Sequence, residues 1–346
     1  MVAATAATLL WCSGCTIGDG AAVTSPETDA AASASAGATG DPELVESLGR
    51  TFGDDVDRAA AVLVDGDSVR SAFVHADDTT MFEFGSISKL LLGLLMADSI
   101  ERGEVAPDDP VGAHLDLGSS DAAATTLEQL ATHHSGLPPT PTESDDADPY
   151  PDAPGALVDF VTGLEVPSAP EPDYGNVGPA LLGAALSAAS GETYPELLRE
   201  RVLEPAGMDD SVVVATRADV PSTLEPGYTL AGIPVDPWTY GDYAPTGGVA
   251  GSAADLTALA RAIIDGRFSD SAALDPHLRL DSDSSLGYLW VIEERPARTL
   301  AWHDARTGGY SSALLIDREA GTAAIVLWNA PGDSEEVARR ILLLAD

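Results

Sequence analysis

Lysine is almost missing from this chain: of 17 basic residues only Lys89 is a lysine, and the rest are arginine. Basic charge of either kind is scarce beside 56 acidic residues, leaving a formal net charge of -39. So acidic a surface repels phosphate backbones, which argues against nucleic acid as a partner. Cysteine occurs twice, as Cys12 and Cys15 near the N-terminus, so neither a disulfide nor a cysteine-ligated metal holds the body together. No serine has glycine two positions away on both sides, so the G-x-S-x-G nucleophile elbow is absent. Lys89 is not preceded by glycine, which rules out a phosphate-cradling P-loop. The apolar run near the N-terminus is too short to cross a bilayer.

What is present centres on Met81 to Val105, MFEFGSISKLLLGLLMADSIERGEV. It reads as a helix, apolar on nearly all sides from Leu90 to Met96 and so buried all round. Ser86 and Lys89 stand three apart at its mouth, a spacing that places hydroxyl and amine side by side. Arginine stays charged in proteins, whereas a desolvated lysine can give up its proton and act as a base. A cation at a helix N-terminus opposes the macrodipole, so Lys89 is poorly placed for stability alone.

Residues 1–15, MVAATAATLLWCSGC, read as the apolar end of an export signal. Ser13 and Gly14 before Cys15 resemble the lipobox of bacterial lipoproteins, which implies a lipid on Cys15, an extracytoplasmic location and a membrane as partner. No Lys or Arg precedes the apolar run, and Cys12 stands where that pattern usually has leucine. Residues 16–40 are mostly Ala, Ser, Thr, Gly and Asp without hydrophobic periodicity, a flexible tether. The body is expected over residues 41–346.

There, Pro42 to Phe52 reads as a helix capped by Asp41, and Ala59 to Val64 with Val69 to His75 as a hairpin turning at Asp65-Gly66. Thr126 and Gln129 open a helix in capping-box spacing, expected to run to Gly136. His133 and His134, adjacent and with no ligand partner at metal spacing, read as structural. Residues 139–155, rich in Pro and Asp, form an irregular loop suited to rim a site. Pro172 to Gly178 is a turn carrying Tyr174 and Asn176 into a helix. Tyr194 to Met208 is another helix, and Ser252 caps a further one to about Asp265 after the flexible pair Gly247-Gly248. Leu286 to Glu294, Thr299 to Asp304, Tyr310 to Ile316 and Thr322 to Trp328 read as antiparallel strands, with a closing helix from Ser334 to Leu344. Alternation puts His303 and Ala305 on one face of their strand and Asp304 and Arg306 on the other.

Three motifs in order, Ser86-Ile87-Ser88-Lys89, Tyr174-Gly175-Asn176 and His303-Asp304-Ala305, resemble the serine β-lactamase and penicillin-binding family. The likeness is closest to its class C-like branch of D,D-peptidases and esterases, and extends over LATHHSGLP, LLRERVLEPAGM and GGVAGSAADL. It implies an α+β, β-lactamase/transpeptidase-like fold, with an antiparallel sheet from about residues 41–80 and 285–346 and flanking helices. A mostly helical part, about residues 86–270, would pack beside the sheet with the active site between them.

The resemblance further implies an acyl-enzyme on Ser86 formed from a small-molecule or peptidoglycan-type substrate: a β-lactam, a D-alanyl peptide or an ester. Lys89 and Tyr174 would share the proton work, with the identity of the base open. Asn176 would hold the substrate's amide, and His303 would stand where relatives have lysine, tuning Tyr174 and the leaving group. The amides of Ser86 and Arg306 would form the oxyanion hole, and no metal or cofactor is required. Ala305 occupies a position where the family usually has glycine, so the alternative is a catalytically impaired binding protein of the cell envelope with the same fold.

Overall fold

The computed structural model describes residues 37–52, 57–141, 150–151, 153–168, 170–295 and 298–345. The signal segment, Cys15 and the tether up to residue 36 lie outside them. The first strand of the described residues is a short edge strand β1 (Ala38–Gly40), three residues before the expected start of the body. It pairs with β3, so these residues belong to the sheet. Helix α1 (Pro42–Phe52) follows; Asp41 caps it, its Oδ1 accepting from the amides of Glu43 and Leu44. The expected hairpin is β2 (Ala59–Asp65) and β3 (Ser68–Val74), turning through Gly66 at φ +52°.

Two-residue β4 (Phe82–Glu83) leads into α2 (Ile87–Glu101), buried without interruption from Ile87 to Ser99 as its apolar circumference requires. Then come α3 (Leu127–Ala131), α4 (Ala156–Thr162) and α5 (Val177–Ser190). Helix α6 (Tyr194–Leu198) passes through a π-helical turn at Arg199–Leu203 into α7 (Glu204–Ala206), so the expected helix over this stretch is continuous but not uniform. Strands β5 (Val212–Val213), β6 (Gly227–Tyr228) and β7 (Pro234–Val235), short helix α8 (Ala244–Gly247), strand β8 (Val249–Gly251) and helix α9 (Ala253–Ile264) complete the inserted part. The chain closes with β9 (Leu278–Arg279), β10 (Ser284–Leu286), β11 (Val291–Arg295), β12 (Arg298–Arg306), β13 (Ser311–Asp317), β14 (Thr322–Trp328) and α10 (Ser334–Leu342).

The main sheet has nine strands in the order β1-β3-β2-β14-β13-β12-β11-β10-β9, so the two ends of the chain meet where β2 pairs antiparallel with β14. Its central strands are apolar on both faces and divide their residues between two cores. Ala61, Leu63, Leu315 and Val326 face α1 and α10, whereas Val62, Val64, Leu314 and Ile325 join the larger core around α2 and α9. The inserted part adds two small sheets, β4-β8-β5 and the β6-β7 hairpin, built from strands of two or three residues that carry no readable period.

Three expectations change. The run Leu286 to Glu294 is not one strand: it turns between β10 and β11, where Leu289 takes φ +64° and its amide is held by the carbonyl of Ala131. Helix α3 stops at Ala131, five residues before Gly136. There the Thr132 hydroxyl turns back onto the carbonyl of Glu128 and His133 takes a left-handed φ of +52°. Gly247 and Gly248 are buried rather than flexible; a Cβ at Gly247 would lie 2.6 Å from the Tyr240 ring.

Candidate active site

Gly85 turns the chain at φ +52° out of β4 and sets Ser86 at the N-cap of α2. One turn on, Lys89 is fully buried, and its Nζ donates to Ser86 Oγ at 2.9 Å and to the carbonyl of Thr246 at 3.0 Å. Thr246 lies in α8, which the close packing of Gly247 under Tyr240 holds in place. From the turn before α5, the Tyr174 hydroxyl reaches Ser86 Oγ at 2.8 Å, and Lys89 Nζ stands 5.0 Å from the Tyr174 ring centre. Lys89 from the same helical turn and Tyr174 from 88 positions further along the chain thus converge on one hydroxyl.

Asn176 is the N-cap of α5, and its Nδ2 donates to the Tyr150 hydroxyl at 2.7 Å. Between them Gly175 admits no side chain, because a Cβ would fall 2.5 Å from Cα of Pro139. On β12, His303 and Ala305 are each 4% exposed and face the site, while Arg306 points outward, so the alternation expected for this strand holds. The His303 ring centre lies 5.6 Å from that of Tyr174, and its Nδ1 is in a short hydrogen bond with the carbonyl of Asp304. Burial, and then the charge of Lys89, push the His303 pKa down to about 3, so its imidazole is neutral. The end of β12 runs beside Gly85: a Cβ there would meet the Ala305 methyl at 3.1 Å and Thr307 Cγ2 at 3.0 Å. Positions 85 and 305 together have room for one side chain, and here Ala305 carries it. The amide of Ser86 makes no hydrogen bond among the described residues, while Arg306 comes to this corner through its backbone.

Sequence reasoning did not single out His133 or Thr246 for this region, and it placed Tyr150 only within the loop 139–155 expected to rim a site. His133 packs its ring 4.7 Å from that of Tyr174 and receives the Gly175 amide on Nδ1, whereas His134 turns away to the carbonyl of Pro170. Tyr150 stacks between Tyr240 and Tyr243 at ring distances of 5.0 and 5.1 Å, with Trp238 edge-on at 6.1 Å. This aromatic wall is assembled from separate loops, so no local pattern announces it. Thr246 contributes only a carbonyl, which every residue type has.

The profile of the beta-lactamase family matches residues 51–346 of the chain. The chain belongs to the beta-lactamase family. Among its relatives, the putative beta-lactamase-like 1 of Homo sapiens is 31% identical over 203 residues, 55% of this chain and 40% of that protein. Penicillin-binding protein 4 of Amycolatopsis lactamdurans is 26% identical over 306 residues, 78% of this chain and 80% of its own length. The beta-lactamase match thus spans well under two thirds of the human protein and most of the bacterial one. Among solved structures, the fold is similar to a class C beta-lactamase from Rhodobacter sphaeroides, with TM-score 0.71, 20% identity and coverage of 84% of this chain and 94% of that one. It is also similar to a beta-lactamase/D-alanine carboxypeptidase from Pseudomonas syringae, with TM-score 0.75, 16% identity and coverage of 88% and 97%. The beta-lactamase/transpeptidase-like fold, an antiparallel sheet with flanking helices, is therefore that of this chain.

Proposed function

We propose that this protein is a serine hydrolase that works through an acyl-enzyme on Ser86, with a β-lactam, a D-alanyl peptide or an ester as substrate. The observation that carries the reading is the position of Ser86 Oγ, 2.9 Å from Lys89 Nζ and 2.8 Å from the Tyr174 hydroxyl. Serine is a feeble nucleophile until a neighbour takes its proton. Either neighbour lies within proton-transfer distance, provided it has first given up a proton of its own: Lys89 as the free amine, or Tyr174 as a phenolate stabilised by the Lys89 ammonium. Ser86 Oγ then bonds to the substrate's carbonyl carbon, and its proton passes through this pair to the leaving nitrogen or oxygen as the scissile bond breaks. Water completes the cycle by attacking the ester carbon, which breaks the bond to Oγ, and Ser86 recovers a proton.

The Ser86 amide and that of Arg306 receive the oxyanion, each such donor contributing about 3 kcal/mol to the transition state. Asn176 holds the substrate's amide beside Tyr150. His303, neutral at working pH, borders Tyr174 without adding charge. The chain is further proposed to carry a lipid on Cys15, which would keep the enzyme at the envelope where peptidoglycan-type substrates lie. Replacing Cys15 with alanine in a bacterial host that processes the signal should release the protein from membranes; equal partitioning of both forms would remove the anchor from the reading.

Intact mass after incubation with a β-lactam and with an activated phosphonate tests the acyl-enzyme directly. An adduct that vanishes in Ser86→Ala is the expected result. No adduct from either reagent would favour the binding protein, with the Ala305 methyl crowding the serine.

A further inference from the structure

His133 lies outside every motif that assigns chemistry to this fold, yet it touches all three residues centred on Tyr174. Its carbonyl accepts from the amide of Asp173 at 2.8 Å, its Nδ1 accepts from the amide of Gly175 at 3.4 Å, and its ring packs 4.7 Å from that of Tyr174. The tyrosine is thus bracketed on both sides along the chain and packed against in between. His133 adopts φ +52° to do this, a left-handed conformation uncommon for a side chain with a Cβ and one that concentrates where function demands it. That turn aims its carbonyl and its ring at the same short segment. The imidazole is 5% exposed, and receiving an N–H on Nδ1 requires the neutral tautomer protonated on Nε2. Burial holds the ring neutral, and the nearby charge of Lys89 and the presence of His303 push the same way. A protonated ring would turn Nδ1 into a donor facing another donor.

We propose that His133 is a positioning residue that holds Tyr174 in proton-transfer geometry at Ser86. The proposal rests on the acyl-enzyme reading of Ser86. The Tyr174 hydroxyl is 2.8 Å from Ser86 Oγ, and the turn bearing it is also held by the amide of Asn176 on the Pro139 carbonyl at 2.7 Å and by Asn176 Nδ2 on the Tyr150 hydroxyl. Without the His133 ring, the segment keeps its backbone bonds from Asp173 and Asn176 but loses the acceptor for the Gly175 amide and the surface packed against Tyr174, and a shift of the phenol by an ångström is worth up to ~100-fold in rate.

Two substitutions separate the contacts. His133→Asn keeps an acceptor near the position of Nδ1 and removes the ring; His133→Phe keeps a ring and removes the acceptor. Each is made in the wild type and in Tyr174→Phe, and single-turnover acylation is followed with a chromogenic cephalosporin and a p-nitrophenyl ester across substrate concentration, with thermal melts alongside. The expected result is an acylation rate constant lower by ~10-fold to 100-fold at an unchanged half-saturating concentration, with no further loss in the Tyr174→Phe background. Loss by the same factor in that background would mean that His133 acts independently of Tyr174 and would overturn the proposal, as would variants that acylate like wild type. Should His133→Phe fail to fold, the asparagine variant carries the test. If wild-type protein forms no adduct, the reading of Ser86 falls and this proposal with it; a wild-type adduct with indifferent His133 variants removes the proposal alone.

Discussion

At the scale of single residues, two positions separate chemistry from packing. Lys89 is fully buried, its Nζ donating to Ser86 Oγ and to the Thr246 carbonyl. Arginine would keep the charge but cannot give up a proton, and its planar fork is bulkier than an ammonium. Lys89→Arg should therefore lower single-turnover acylation by at least ~1,000-fold, the combined loss of a general base and its positioning. Acylation within ~10-fold of wild type would refute the proton-transfer role. Gly85 offers a second case. It shares φ +52° with Gly66, but a Cβ at Gly66 meets nothing within 4 Å, while one at Gly85 meets Thr307 and Ala305. Both alanine variants should lose about 1–2 kcal/mol for the left-handed backbone. Only Gly85→Ala should also displace Ser86 and slow acylation, which melts and adduct kinetics on the two proteins would show.

At the scale of elements, α9 rests on a network at its first turn. Ser252 caps it and Asp255 returns the bond, while the carboxylate of Asp255 also accepts from the Ser211 hydroxyl and the amide of Asp210. Ser252→Ala should cost about 1 kcal/mol, as lost caps do. Asp255→Ala strands several buried donors at about 1–3 kcal/mol each and should lower the melting temperature markedly more. Equal shifts would mean that the bonds to Ser211 and Asp210 contribute nothing. Ser252 and Asp255 are also a case of what the sequence makes legible, since a capping box is local chemistry written three residues apart. The same holds for Thr126 with Gln129 and for the turn at Asp65-Gly66. The end of α3 was not legible, because His133, which leaves the helix there, is engaged by the amides of Asp173 and Gly175 from about forty positions along the chain. The split at Leu289 has a similar origin, its amide being captured by Ala131. Ser86, Lys89 and Tyr174 could be singled out because their residue types in order are distinctive; Tyr150 could not, because a tyrosine in a loop becomes a wall only beside Tyr240 and Tyr243.

For the whole molecule, the buried groups around β12 set how stability responds to acid. His303 has its pKa depressed from the ordinary 6.5 to about 3, chiefly by burial, and His133 is depressed in the same direction. A histidine depressed in the folded state binds fewer protons than in the unfolded chain, so its contribution is fully present above about pH 6.5 and is lost as pH falls toward 3. For His303 alone the full loss is on the order of 5 kcal/mol. Asp304, on the opposite face of β12, acts the other way: burial first, then Glu335, raises it from 3.8 to about 6. Its cost is present above pH 6 and disappears as pH falls toward 4, a gain on the order of 3 kcal/mol. Two histidines against one carboxyl leave a net loss. Relief of self-repulsion from the net charge of -39 comes mainly below pH 4.5, where ordinary surface carboxylates take up protons. Between pH 7 and 4.5 the melting temperature should therefore fall, and Asp304→Asn, which removes the opposing group, should steepen the fall. Calorimetric melts of both proteins at pH 7, 6 and 4.5 would decide it; a wild-type melting temperature that rises over that interval would mean that Asp304 and charge relief outweigh the buried histidines.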